Sequence, residues 1–365
     1  MKQMIYLVGF LLILGLGACF GSEESDLTTN AMNAYRLGNY DVAIDCFDKL
    51  IQLNVTDSYL GRGKTYFAKK AYDKAIADFD KAIQRRPSAI AFQFRGEAYS
   101  RIGDYEKAAS DYTQAIQLDP HNGQIYLDRA NAYLFNRQFS TARIDCSTAI
   151  MLLSENPGKN ESLALAYCIK GQTFAEENNN ECFSNFEKAI QISPRDYLPY
   201  YNRAAVFDRN GNLSRAIDDY SIAIKLSPTN ASAYAIRALV YARKGDFAKG
   251  IEDCNRGINI DSNCVLAYEH LAVILAVCPD SKIRDGKRAL ENAKKACELT
   301  SWKQPKCLDT LAAAYAETGA FDQAITWEQK AIDSSSKDAD LKGFQERLEL
   351  YKQKKPFRIL KEVTH

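Results

Sequence analysis

Alanine or glycine returns at Ala82, Ala115, Ala149, Ala189, Ala223, Gly257, Ala296 and Ala331, at spacings of 33, 34, 40, 34, 34, 39 and 35 residues. A recurrence near this length restricts the chain to a stack of like helical units, because each unit must match its neighbour in size to meet it the same way. A stack of this kind presents an accumulated surface, so its function is to be sought in a groove and a partner before a catalytic pocket.

Other residues recur in phase with those alanines. From Gln93 the chain carries Arg95, Gly96, Tyr99, Gly103, Asp104, Tyr105, Ala108, Tyr112, Ala115 and Pro120. The same order appears as Arg62, Gly63, Tyr66, Tyr72, Ala75, Phe79, Ala82 and Pro87, and returns from Tyr200 to Pro228 and from Tyr234 to Phe247. Each unit therefore holds two runs of helical periodicity, split by a turn such as Gly38-Asn39-Tyr40 and ended by Asp or Ser before Pro. Small residues such as Gly63, Gly96, Ala130, Ala204 and Ala238 let the two backbones approach, and aromatics fill the space beside them. This pattern resembles the tetratricopeptide repeat. The resemblance covers roughly residues 25 to 335 and implies an all-α, right-handed superhelical solenoid of about nine helix-turn-helix repeats with a C-terminal capping helix.

The N-terminus is a different kind of sequence. Lys2 precedes an apolar run from Met4 to Leu16 that is short for a membrane span, and Leu16-Gly17-Ala18-Cys19 follows. This reads as an export signal. The tetrapeptide resembles the lipobox of bacterial lipoproteins, which implies that Cys19 is lipid-modified and becomes the first mature residue, and by the same resemblance Phe20 in place of aspartate permits sorting to an outer membrane, with inner and outer membrane both left open. The expected organisation is a signal peptide at 1–18, a lipidated tether at 19–26, repeats one to four at 27–153 and an inserted loop at 154–162. Repeats five to nine follow at 163–336, then a capping helix at 337–354 and a tail at 355–365. The loop is inferred from Pro157, Gly158 and Asn160, and the cap from the stripe Leu341, Phe344, Leu348 and Tyr351. A second insertion, Cys278 to Gly286, lengthens the turn of the eighth unit.

Charge narrows the function. The 47 Lys and Arg include Lys2 of the leader, which leaves 46 against 46 Asp and Glu in the mature chain. A near-neutral chain with no basic face is not expected to bind nucleic acid. Arginine recurs at Arg62, Arg95, Arg129, Arg203 and Arg237, and aspartate at Asp78, Asp111, Asp145, Asp219 and Asp253. Charges repeated in every unit form an ion-pair ladder and hold the lattice together. Of the ten cysteines, nine follow Cys19, an odd number. Cys146 and Cys254 stand in the slot of Tyr112, Tyr220 and Phe79 and are expected in the core, with most of the nine as buried thiols and one or two disulfides open. No C-x-x-C spacing occurs and the histidines are scattered, so neither a metal site nor a cofactor is expected.

Without a phosphate loop, a nucleophile elbow or a metalloprotease helix, the chain reads as non-enzymatic, with no small-molecule substrate. In tetratricopeptide repeats the first helices line a concave groove. Carrying those positions over selects Lys64, Phe67, Phe94, Glu97, Arg101, Asn131, Phe135, Tyr201, Asn202, Asp208, Arg209 and Arg243 as partner-binding residues. Gln93 and Glu97 stand where a chaperone-tail clamp would need lysine and asparagine, which argues against that ligand. The expected function is a protein-interaction scaffold, lipid-anchored at Cys19 and facing the periplasm or cell surface, that binds a protein or peptide. A structural envelope lipoprotein binding glycan or cell-wall polymer, and a membrane-anchored co-chaperone, are the alternatives.

Overall fold

The structure, a computed structural model, describes residues 22–155, 158, 160–335 and 338–358. The leader at 1–18 and Cys19 lie outside the described residues, as do parts of the 154–162 loop and of the tail. The described residues form nineteen α-helices and no strand. The first four pairs are α1 (Ser22–Arg36) with α2 (Tyr40–Gln52), α3 (Ser58–Ala68) with α4 (Tyr72–Arg85), α5 (Ala89–Ile102) with α6 (Tyr105–Leu118) and α7 (Gly123–Phe135) with α8 (Phe139–Ser154). Next come α9 (Asn160–Glu176), α10 (Glu181–Ile192), α11 (Leu198–Arg209), α12 (Leu213–Leu226), α13 (Ala231–Lys244) and α14 (Phe247–Ile260). The chain closes with α15 (Val265–Val277), α16 (Gly286–Leu299), α17 (Pro305–Glu317), α18 (Phe321–Ser334) and α19 (Asp338–Lys352). None of the described helices is long and apolar enough to cross a membrane.

The chain divides into two compact units, Met1–Thr173 and Phe174–His365. Within the first, each second helix packs on its own first helix and on the first helix of the next pair, from α1 through α8. The turn chemistry explains the hairpins. Gly103 adopts φ +86 and closes α5 while its neighbour Asp104 caps α6, accepting a hydrogen bond from the Lys107 backbone N–H. Where glycine is missing from this turn, Lys70 and Arg137 take the same left-handed conformation at φ 61 and 59. Close approach is also built in. A Cβ on Gly63 would lie 2.7 Å from Phe79, and one on Gly96 would lie 2.9 Å from Tyr112. The aromatic of the second helix thus fills the volume that the glycine of the first leaves open.

In the second unit the alternation continues through α18, and α19 packs on α18 as an unpaired last helix. Phe344, Leu348 and Tyr351 of α19 are buried and Leu341 is half-buried, which seals the apolar end of the stack. One continuous apolar cluster runs from Ala238 on α13 to Phe344 on α19. Cys146 and Cys254 are both 0% exposed in the aromatic slot expected of them. Burial pushes the Cys146 thiol up to about 12 and Cys254 further in the same direction, so both remain protonated thiols at neutral pH. The all-α repeat fold expected from the sequence is the fold found.

Candidate interaction surface

The repeated charges are consumed by the lattice. Arg62, Arg95, Arg129, Arg203 and Arg237 each form a fork with the aspartate sixteen residues on, at 2.6 to 2.9 Å through Nε and a terminal nitrogen. Four of them also reach back to the second helix of the preceding pair. Arg62 meets Asp48 and Arg95 meets Asp80, while Arg129 and Arg237 donate to the hydroxyls of Thr113 and Ser221 at 2.9 Å. The guanidinium therefore ties three helices together, which the planar five-donor fork of arginine allows and lysine does not.

What the ladder leaves for a partner lies on the first helices. In the first unit the structure brings Lys64, Phe67, Phe94, Glu97 and Arg101 together across α3 and α5. The Lys64 ammonium stands 4.4 Å from the Phe94 ring centre, Phe67 meets Phe94 edge-on at 6.3 Å, and Arg101 covers Phe67 while donating to Glu97 at 3.2 Å. Lys64 is only 6% exposed, and burial lowers its pKa to about 8. Phe94 and Phe67 are half-buried, and Arg101 is exposed. Phe135 on α7 is 57% exposed, with Tyr105 stacked beneath it at 5.1 Å. Asn131 is half-buried on the same helix.

A polar seam that the sequence reading did not single out continues this patch. Gln93 on α5 donates to Asp128 on α7 at 2.8 Å, Gln124 donates to the other oxygen of Asp128 at 2.9 Å, and Ser162 on α9 donates to Gln124 at 2.9 Å. Burial raises the Asp128 carboxyl to about 7; the two amide donors oppose that shift and the charge of Glu97 adds to it. The register did not mark it, because Asp128 falls one place beyond the equivalent of Gln93 in the next unit.

The remaining expected residues lie in the second unit. Asp208 pairs with Arg243, Arg209 donates to the Ala175 carbonyl at 2.6 Å and faces Glu176, Tyr201 packs edge-on against Tyr220, and Asn202 is buried. These charges are engaged between successive first helices of that unit. The same unit carries a second aromatic feature. Trp302, 41% exposed and in a left-handed backbone conformation, stacks on Trp327 at 5.2 Å, and the Lys330 ammonium sits 4.0 Å from the Trp327 ring. Among the described residues no group of three His, Cys, Asp or Glu is placed to hold a metal ion.

Fold and surface together define a helical-repeat scaffold, a class whose extended surfaces engage other macromolecules. The tetratricopeptide-repeat family's pattern matches residues 28–90 and 201–263, 89–122, and 111–144, so the repeats in these stretches are tetratricopeptide repeats. Among solved structures, a tetratricopeptide-repeat protein from Parabacteroides merdae is 17% identical with a TM-score of 0.58, over 70% of this chain and 99% of that one. The human IFIT1 dimer with PPP-AAAA is 15% identical with a TM-score of 0.52, over 85% of this chain and 83% of that one. At such identities the likeness is one of fold. No curated protein matches the chain.

Proposed function

We propose that this protein is a non-enzymatic scaffold of a bacterial envelope, exported by the 1–18 leader and lipid-anchored through Cys19, that holds a protein or peptide on its first helices. The observation that carries this reading is the gathering of Phe67, Phe94 and Arg101 into one patch, continued by the exposed Phe135, while the repeated charges are occupied by the ladder. Aromatic and arginine side chains carry most interface energy, so this patch is where a partner gains affinity. In-cell crosslinking from a photoreactive residue at Phe135 is expected to capture a defined envelope protein. Arg101→Ala, at an exposed residue, is expected to cut that product roughly fivefold without shifting the melting temperature. Retained crosslinking in that variant rejects the patch. For the anchor, Cys19→Ser is expected to abolish fatty-acid labelling and membrane retention, and labelling that persists rejects it.

One observation favours a second reading, the binding of glycan or wall polymer. The stacked Trp302 and Trp327 offer a flat aromatic face of the kind that takes the apolar side of a sugar ring. Sedimentation of the mature protein with purified wall polymer, lost in Trp302→Ala, would select this reading over the first.

A further inference from the structure

The C-terminal tail is seated on the chain itself. After α19 ends, Lys354 turns through φ 58, the Lys355 N–H closes on the Leu350 carbonyl at 2.9 Å, and Pro356 prevents any continuation of the helix. The chain then returns across the C-terminal ends of α15 and α17. Phe357 packs where the long apolar cluster of α13–α19 adjoins the smaller one built from Ala312, Ala316, Ala324 and Tyr351, and Arg347 covers its ring at 5.4 Å. Arg358 donates to the Ala276 carbonyl at 3.2 Å, to its own Phe357 carbonyl at 2.9 Å, and to Oε2 of Glu317.

The receiving groups are specific. Ala276 is the second-last residue of α15, so its carbonyl is one of those left unpaired at a helix end, where the helix dipole favours a cation. Glu317 ends α17, and its side chain is 14% exposed. Arg284 holds Oε1 of Glu317 at 2.9 Å and also donates to the carbonyls of Cys278 and Pro279 at 2.9 and 3.0 Å. That grip fixes the carboxylate with Oε2 turned to the tail. A carboxylate oxygen and a backbone carbonyl side by side suit a forked guanidinium, and the apolar ground beside them suits an aromatic ring. The hold on the tail rests on two side chains, and Arg358 is still 27% exposed.

We propose that the C-terminal ends of α15 and α17 form a peptide-binding site for an aromatic residue followed by arginine, kept closed by this chain's own Phe357 and Arg358. A partner segment of that chemistry takes the place of the tail. Because the tail is tethered, its effective concentration is high, and the intact chain presents the site to competing peptides only weakly.

The probe is a fluorescein-labelled peptide of residues 352–358, read by anisotropy. The full chain carrying Phe357→Ala and Arg358→Ala is expected to bind it about tenfold more tightly than the unaltered chain. Adding Glu317→Gln to that double variant is expected to remove the gain, as is replacing arginine by alanine in the peptide. Where the double variant melts at a lower temperature, the peptide in trans is expected to restore the melting point. A double variant that neither binds the peptide more tightly nor is stabilised by it overturns the proposal, as does binding indifferent to Glu317→Gln.

Discussion

Removing an arginine that ties three helices leaves a buried carboxylate behind. Arg129 is 16% exposed and its partner Asp145 only 4%, so Arg129→Met strands an aspartate whose two oxygens have lost both donors. The expected loss is about 2–3 kcal/mol, seen as a lower urea midpoint, with partner binding retained in the folded fraction. Unchanged melting with lost binding would move Arg129 from the lattice to the interface. The ladder was legible because its members recur at one spacing, whereas the groove residues were legible only in direction. Lys64 stands at a groove position of α3, yet Phe94 from the next pair sits over its ammonium. Helix phase states where a side chain points, and only the packed neighbour decides whether water reaches it.

At the scale of the element, α19 closes the stack over an unusual acid. Glu328 on α18 is 0% exposed and neither of its oxygens meets a hydrogen-bond donor. Asp309 on α17 and Arg347 and Tyr351 on α19 are the titratable and charged groups around it, with Arg347 bonded to Asp309 and 3.7 Å from Glu328. Burial, and then the charge of Asp309, hold the Glu328 carboxyl well above the ordinary range. The folded state thus keeps a proton that the unfolded chain has released, so stability falls as pH rises above the ordinary glutamate value toward the raised one. Glu328→Gln is expected to leave the melting temperature unchanged near pH 5 and to raise it near pH 8, by calorimetry at the two values. A difference independent of pH would show that Glu328 is not protonated in the fold. The apolar stripe of α19 could be read from sequence, but this acid was overlooked even though the register marks it. Glu328 stands three residues before Ala331, in the slot that Phe79, Tyr112 and Tyr220 fill before their own alanines.

Across the whole molecule the lattice changes character from one end to the other. In the arginine slot of the last two pairs stand Leu271 and Leu311, 2% and 0% exposed, and the polar ladder gives way to the apolar cluster that spans α13 to α19. At the opposite end, α1 and α2 rest on a small core of Ala31, Ala34, Ala43, Phe47 and Leu50. The period gave the number of pairs, because each unit repeats the same local code. It said nothing of this gradient, which depends on how many neighbouring slots are apolar at once. Repeat arrays open locally rather than as one body, so protection should follow contiguous burial. Amide hydrogen exchange in mild denaturant is expected to be slowest in α15–α18 and fastest in α1–α2, with the ladder pairs between. Equal protection at both ends would mean that the extent of contiguous apolar burial does not set local stability in this stack.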